Sequence, residues 1–210
     1  MSNLTTIQNN TMIDRYTQNR IDNRTIEEFC TDMHQFTEKE KRWGEALAEE
    51  FKARGHMCAV NESGVDNTGA MILGKLTNCN PDKLYVFSGI KEKMYVEIKT
   101  IPEKHNRFHT FKVSALKGCI HYGALILVPK LKYYFMYGAK AMELMLDRCN
   151  VVPFFGNKPC VQPSMTFIKE MESQGIIIKK TWTPEARLII KRFKEVLAAD
   201  RITNYGRKFS

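Results

Sequence analysis

The chain has 210 residues, 43% of them hydrophobic and 26% charged, and its 32 Lys and Arg against 23 Asp and Glu give a formal net charge of +9. That length and balance suit one soluble globular domain with an appendage, and the longest clearly apolar run, Ala124 to Val128, is far too short to cross a bilayer. The basic excess favours a polyanionic partner, nucleic acid or an acidic membrane surface; the six cysteines, at 30, 58, 79, 119, 149 and 160, have no zinc-knuckle spacing and read as reduced thiols.

Residues 1 to 22 are rich in Asn, Thr and Gln, predict a loose polar leader, and carry no charged-then-apolar signal pattern. Thr25 with Glu28 and Thr37 with Glu40 fit the capping-box spacing, which predicts two helices. The second should run to about Arg54 and stop at Gly55, with Trp43, Ala46, Leu47 and Phe51 as its core-facing stripe. His56 to Asn61 predicts a strand, followed by a Ser63-Gly64 loop. Leu84 to Ser88 and Met94 to Thr100 predict a hairpin around a charged turn. A basic, His-containing loop (103 to 110) precedes a helix over about 111–122. Strands over 124–128 and 132–137, separated by Pro129, and a helix over 139–148 come next. Residues 150 to 163 read as loop, punctuated by Pro and Gly. A short helix, a strand over 175–182 and a helix capped by Thr183, with Pro184 in its first turn, close the series.

Asn80-Pro81-Asp82 stands just before the first hairpin strand, and Val96-Glu97-Ile98-Lys99 lies on the second. Strand side chains alternate faces, so Glu97 and Lys99 project together while Ile98 points to the core. The hairpin brings Asp82 towards that side. Two carboxylates on adjacent strands repel unless a cation lies between them, and hard oxygen donors suit Mg²⁺ or Mn²⁺. A lysine beside such a site can stabilise a phosphoryl transition state. The competing explanation for Glu97 and Lys99 is an exposed charged pair on an edge strand.

These residues resemble the PD-(D/E)XK nuclease superfamily, and within it the archaeal Holliday-junction resolvase and RecB-like branch. The resemblance rests on Glu45, ten residues before a helix-ending Gly55, then a strand, Ser63-Gly64, Pro81-Asp82 and Glu97-Ile98-Lys99, and it covers about 40% of the chain. It implies an α/β fold with a restriction-endonuclease-like core, a central mixed sheet flanked by helices in the order αβββαβ. That core spans 23–148, with a basic α/β extension over 149–210 packed on it. It further implies Asp82, Glu97, the Ile98 carbonyl and Glu45 around Mg²⁺, with Lys99 as the catalytic lysine. Glu49 shares the face of Glu45 and is the reserve candidate, and Glu50, inside the apolar arc, is the alternative carboxylate that would reach the sheet instead; a solvated helix face is the competing explanation for each. Resolvases of this branch act as dimers, so a homodimer is an expectation too.

Between Glu103 and Lys140 there are seven Lys or Arg and one acidic residue, and from Arg187 to Lys208 seven more against two acidic ones. Lys112, Lys117 and His121 in the first region, and Arg187, Lys191 and Arg192 in the second, are the candidate phosphate contacts. No base-reading module is present, so backbone and shape recognition is expected. His34 raises the cap-snatching variant of the nuclease core, which adds a histidine from an early helix and cuts RNA; its place on a separate predicted helix favours DNA. The reading is a Mg²⁺-dependent deoxyribonuclease, structure-specific or degradative, in a reducing cytoplasm with nucleoid or nucleus association. An RNA endonuclease and a catalytically inactive nucleic-acid binder are the alternatives.

Overall fold

Phe29, Phe36 and Trp43 recur every seven residues and are all buried, which lays one apolar stripe along helix α1 (Ile26–Ala53). The two predicted helices are therefore one rod of 28 residues. Thr37 does not cap a new helix; its hydroxyl donates back to the Met33 carbonyl at 3.1 Å inside the old one. A continuous buried stripe outweighs a local capping preference. A computed structural model of the chain describes residues 11–13, 20–64, 80–89, 92–100, 109–154 and 158–198. Strands β1 (Thr11–Ile13) and β2 (Arg20–Thr25) pair antiparallel ahead of α1, so residues 20 to 22, expected in the loose leader, lie in a strand.

The central sheet has six strands: β3 (Cys58–Glu62), β4 (Lys83–Phe87), β5 (Lys93–Ile98), β7 (Leu125–Pro129), β8 (Tyr133–Tyr137) and β11 (Ile177–Thr181), in the spatial order β11-β8-β7-β5-β4-β3. All neighbours are antiparallel except β5 and β7, which run parallel. A parallel pair needs a crossover. Helix α2 (Val113–Tyr122), which follows the short strand β6 (Phe111–Lys112), supplies it and ends at Gly123 in the left-handed conformation.

Alternation along the strands separates two cores. Ile126, Val128, Phe135 and Tyr137 face α2, α3 (Ala139–Arg148) and α4 (Met165–Ser173). Val96, Ile98, Leu127 and Tyr134 face α1, α5 (Pro184–Arg192) and α6 (Lys194–Ala198). The result is an α/β fold with a mixed sheet flanked by helices on both sides.

The described residues beyond Arg148 (149–154 and 158–198) pack on the core. β11 is an edge strand of the central sheet, and Trp182 stacks on Trp43 with ring centroids 5.9 Å apart. Thr183 caps α5 through its hydroxyl, which accepts from the Ala186 amide, with Pro184 in the first turn. The stretch expected to be loop holds a hairpin, β9 (Val151–Phe154) and β10 (Lys158–Val161), and β10 pairs on its other side with β6. Pro153 and Pro159 sit opposite each other in that hairpin, so the two prolines that suggested punctuation share one register position. Among the described residues no helix is long and apolar enough to cross a membrane, and the five cysteines at 30, 58, 119, 149 and 160 are free.

Candidate active site

β4 and β5 pair Lys83 with Val96 and Leu84 with Tyr95, which sets Asp82 beside Glu97. Val96 and Ile98 are buried towards α1, so Glu97 emerges on the α2 side. Lys99 follows it there, its ammonium bonded to Glu97 Oε1, while its backbone amide continues the parallel pairing by donating to the Leu127 carbonyl at 2.8 Å. The Ile98 amide donates to Asp82 Oδ2 at 2.7 Å. The three charged side chains expected to converge are therefore on one side of the hairpin.

Asp82 is held from behind. Ser63 Oγ donates to the Pro81 carbonyl at 2.6 Å, and the Ser63 and Gly64 amides both donate to the Asp82 carbonyl at 3.1 Å. A side chain on Gly64 would put its Cβ 3.2 Å from Asp82 Cα, so this close backbone approach requires glycine or a small shift. From the α2 side, the Tyr122 hydroxyl donates to Asn80 Oδ1 at 2.9 Å. The loop bearing Asp82 is thus tied to β3 and to α2 independently.

The helix carboxylate beside this cluster is Glu40, not Glu45. Glu40 feels the charges of Asp82, Lys99, Glu97 and Lys83. Five residues along an α-helix turn a side chain by about 140°. Glu45 accordingly points elsewhere: it takes Arg42 Nη1 at 3.2 and 3.1 Å and lines a groove with Glu49, Met57, Val60 and Arg192. Glu49, the reserve candidate, pairs with Lys52 at 3.6 Å beside the same groove. Glu50 does reach the sheet, but as an anchor: fully buried, it accepts from Arg54, from the Thr183 amide at 2.7 Å and from the Tyr134 hydroxyl at 3.3 Å.

Burial first, then the charge of Asp82, raises the Glu40 carboxyl to about 8, against the opposing pull of Lys99 and Lys83. Burial and the Glu97 charge raise Asp82 to about 6, while Lys99 and the Ile98 amide act the other way. Burial works against the charge of Lys99, but Glu97 and Asp82 outweigh it and keep the ammonium charged. The Cys119 thiol on α2, pushed up to about 12 by burial and then by Glu97, stays protonated. Among the described residues no three His, Cys, Asp or Glu are grouped so as to hold a metal ion; the Glu97 carboxylate is bonded to Lys99 and that of Asp82 to the Ile98 amide.

A second lysine belongs to this neighbourhood. Lys83 is 2% exposed, its ammonium paired with Glu62 at the end of β3. Its stem fills the notch that Gly44 leaves on α1, where an added Cβ would meet Lys83 Cε at 3.0 Å. Sequence reading missed Lys83 because a lysine opening a strand reads as solvated. It missed Glu40 because Thr37-x-x-Glu40 reads as a cap; the seven-residue recurrence of Phe29, Phe36 and Trp43 was the signal that the helix runs through.

The proposed phosphate contacts do not form one patch. Lys117 and His121 are exposed on α2, on the Glu97 side of the sheet, and Lys112 is exposed on β6. Arg187, Lys191 and Arg192 are exposed on α5, in the opposite layer, where Arg187 Nε donates to the Trp182 carbonyl at 3.0 Å. The basic loop of residues 103–108 lies outside the described residues. His34 is exposed on α1, six residues before Glu40. No protein-family model matches the chain, and no curated protein matches it in sequence.

Proposed function

We propose that this protein is a divalent-metal-dependent nuclease that hydrolyses phosphodiester bonds, with DNA as its substrate and a restriction-endonuclease-like core. The observation that carries this reading is that Asp82, Glu97 and Lys99 from two paired strands lie on one side of the hairpin, within electrostatic reach of Glu40 on α1. The order α1, β3, β4, β5, α2, β7, interrupted only by the two-residue strand β6 before α2 and with one parallel pairing, supports it, since the resemblance implies αβββαβ.

The residues present fit a hard cation. Glu40 feels the charges of Asp82 and Glu97, and Asp82 that of Glu97; burial with this repulsion raises Asp82 to about 6 and Glu40 to about 8, which is the situation a divalent ion relieves. Asp82, Glu97 and Glu40 would hold Mg²⁺ or Mn²⁺, with the Ile98 carbonyl as the further ligand that the resemblance implies. When bound, such an ion supplies Lewis acidity and lowers the pKa of a coordinated water. The chain's own contribution is positional. The Ile98 amide and the Ser63-Gly64 loop fix Asp82, and the parallel pairing at Leu127 fixes the strand end from which Lys99 projects. Lys99, charged throughout the neutral range, supplies a cation for charge that develops on a transferring phosphoryl group. A reducing cytoplasm and a homodimer belong to the same proposal.

The test is incubation of supercoiled plasmid, single-stranded DNA, a four-way junction and RNA with Mg²⁺ or with EDTA. Cleavage of DNA in Mg²⁺ alone, lost in Asp82→Asn and in Glu97→Gln, is the expected result. Preferential cleavage of RNA would move the substrate, and tight binding without any cleavage would leave a nucleic-acid binder in place of a nuclease.

A further inference from the structure

Tyr122 closes α2 and is 42% exposed. Its orientation is fixed from three sides. The hydroxyl donates to Asn80, Tyr95 lies 6.4 Å away at a tilt of 51°, and the His121 ring stands edge-on at 5.3 Å. Asn80 is two residues from Asp82, and Cys119, three residues before Tyr122, feels the charges of Glu97 and Asp82. A partly exposed aromatic side chain held by these contacts therefore stands near the proposed reacting centre, with the exposed Lys117 a little more than one turn back along the same helix.

We infer that Tyr122, flanked by His121, is a stacking platform for an unpaired nucleobase adjacent to the phosphate that the site engages, and that Lys117 contacts the neighbouring backbone. This inference rests on the nuclease reading and narrows its substrate class to nucleic acid with unpaired nucleotides at the point of attack. A base within a duplex has both faces covered by its neighbours, whereas an unpaired base offers one to a ring. A ring held in place beforehand loses little freedom when it stacks. Lys117, one turn from His121, supplies the charge that tracking a phosphate backbone requires.

The test uses oligonucleotides carrying 2-aminopurine, whose fluorescence is quenched on stacking: a single-stranded DNA, a single-stranded RNA and the matching duplex DNA, each titrated with full-length protein in EDTA. Quenching of a single strand, retained in Tyr122→Phe and weakened about tenfold in Tyr122→Leu, is expected. The DNA and RNA arms identify which strand supplies the base. Equal quenching by wild type and Tyr122→Leu, duplex binding as tight as single-strand binding, or no quenching at all would overturn the inference. Because EDTA prevents metal-dependent cleavage, stacking without later cleavage in Mg²⁺ defeats the nuclease reading alone. Mg²⁺-dependent cleavage with an unaltered Tyr122→Leu titration defeats only this one.

Discussion

Glu40 on α1 and Asp82 at the foot of β4 belong to different layers of the fold, yet after burial itself the charge of Asp82 is the largest influence on the Glu40 carboxyl. Glu45, one and a half turns on, is committed to Arg42. Glu40→Gln should therefore lower Mg²⁺-dependent cleavage by about a hundredfold or more, the scale on which lost electrostatic groups in active sites are felt. Glu45→Gln should leave it within a few-fold of wild type. Turnover of a labelled DNA substrate by the two purified variants checks this, and a greater loss in Glu45→Gln would return the helix carboxylate to its sequence-based position.

The same carboxyl makes the metal-free protein pH-sensitive. Its value rises from an ordinary 4.5 to about 8 in the folded chain. Between those limits the folded state holds a proton that the unfolded state has released, so stability is whole below about 4.5 and falls as pH rises towards 8. Glu40→Gln carries no such proton. In EDTA its melting temperature should exceed that of wild type by a margin that grows from pH 5 to pH 8 and then levels off. Added Mg²⁺ should narrow the margin. Parallel melting curves in a pH series read it directly, and a margin constant with pH would contradict the buried, repelled state of Glu40.

Gly64 offers a test of position without loss of charge. Its amide holds the Asp82 carbonyl, and a Cβ there meets Asp82 Cα at 3.2 Å and Oδ1 at 3.6 Å. The neighbour is backbone and cannot swing aside, so Gly64→Ala should displace Asp82 by a few tenths of an ångström. Turnover should fall by about tenfold, in keeping with the sensitivity of catalysis to small misplacements, while the urea midpoint moves little. Unchanged turnover would show that the loop does not set the carboxylate's position.

The hairpin was legible in the sequence because its evidence is local. Alternation fixes Glu97 and Lys99 on one side, and a strand pair separated by a short turn brings Asp82 alongside. A mixed sheet was expected from the resemblance alone; the one parallel pairing in the central sheet falls where helix α2 stands between β5 and β7. Glu40 was not legible, since a threonine three residues before a glutamate is the same pattern whether it starts a helix or lies within one; only the buried Phe29, Phe36 and Trp43 decide between them. The β9–β10 hairpin was lost to its prolines, and Lys83 to the expectation that lysines face water. Long-range packing, absent from any short window, settles all three.

Glu50 shows how the C-terminal segment is tied to the helix that bears Glu40. Burial opposes its charge, but the Thr183 amide and Arg54 more than compensate and hold its carboxyl below the ordinary range. One buried side chain thus joins α1 to the start of α5 and to Tyr134 on β8. Glu50→Ala leaves Arg54, an amide and a hydroxyl without their acceptor, and should cost about 3–5 kcal/mol. Urea denaturation measures it. A loss below about 1 kcal/mol would mean that the stacking of Trp43 on Trp182 fastens the segment by itself.

His109 should give the fold a second pH dependence, of opposite sign. It is 2% exposed, its Nδ1 bonded to the Tyr137 hydroxyl, among the rings of Phe111, Phe135 and Tyr137. Burial, and then the charge of Lys130, lowers its value from 6.5 to about 4. The unfolded chain accepts a proton between those limits that the folded chain refuses, so stability is whole above about 6.5 and is lost as pH falls towards 4. His109→Phe alone would leave the Tyr137 hydroxyl buried without its partner, at a cost of about 1–3 kcal/mol. The paired variant His109→Phe, Tyr137→Phe removes both polar groups and should be close to wild type at pH 7. Between pH 7 and pH 4.5 it should then lose on the order of 2 kcal/mol less than wild type. Urea midpoints at the two pH values supply the comparison, and equal losses in the two proteins would place the acid sensitivity of the fold at some group other than His109.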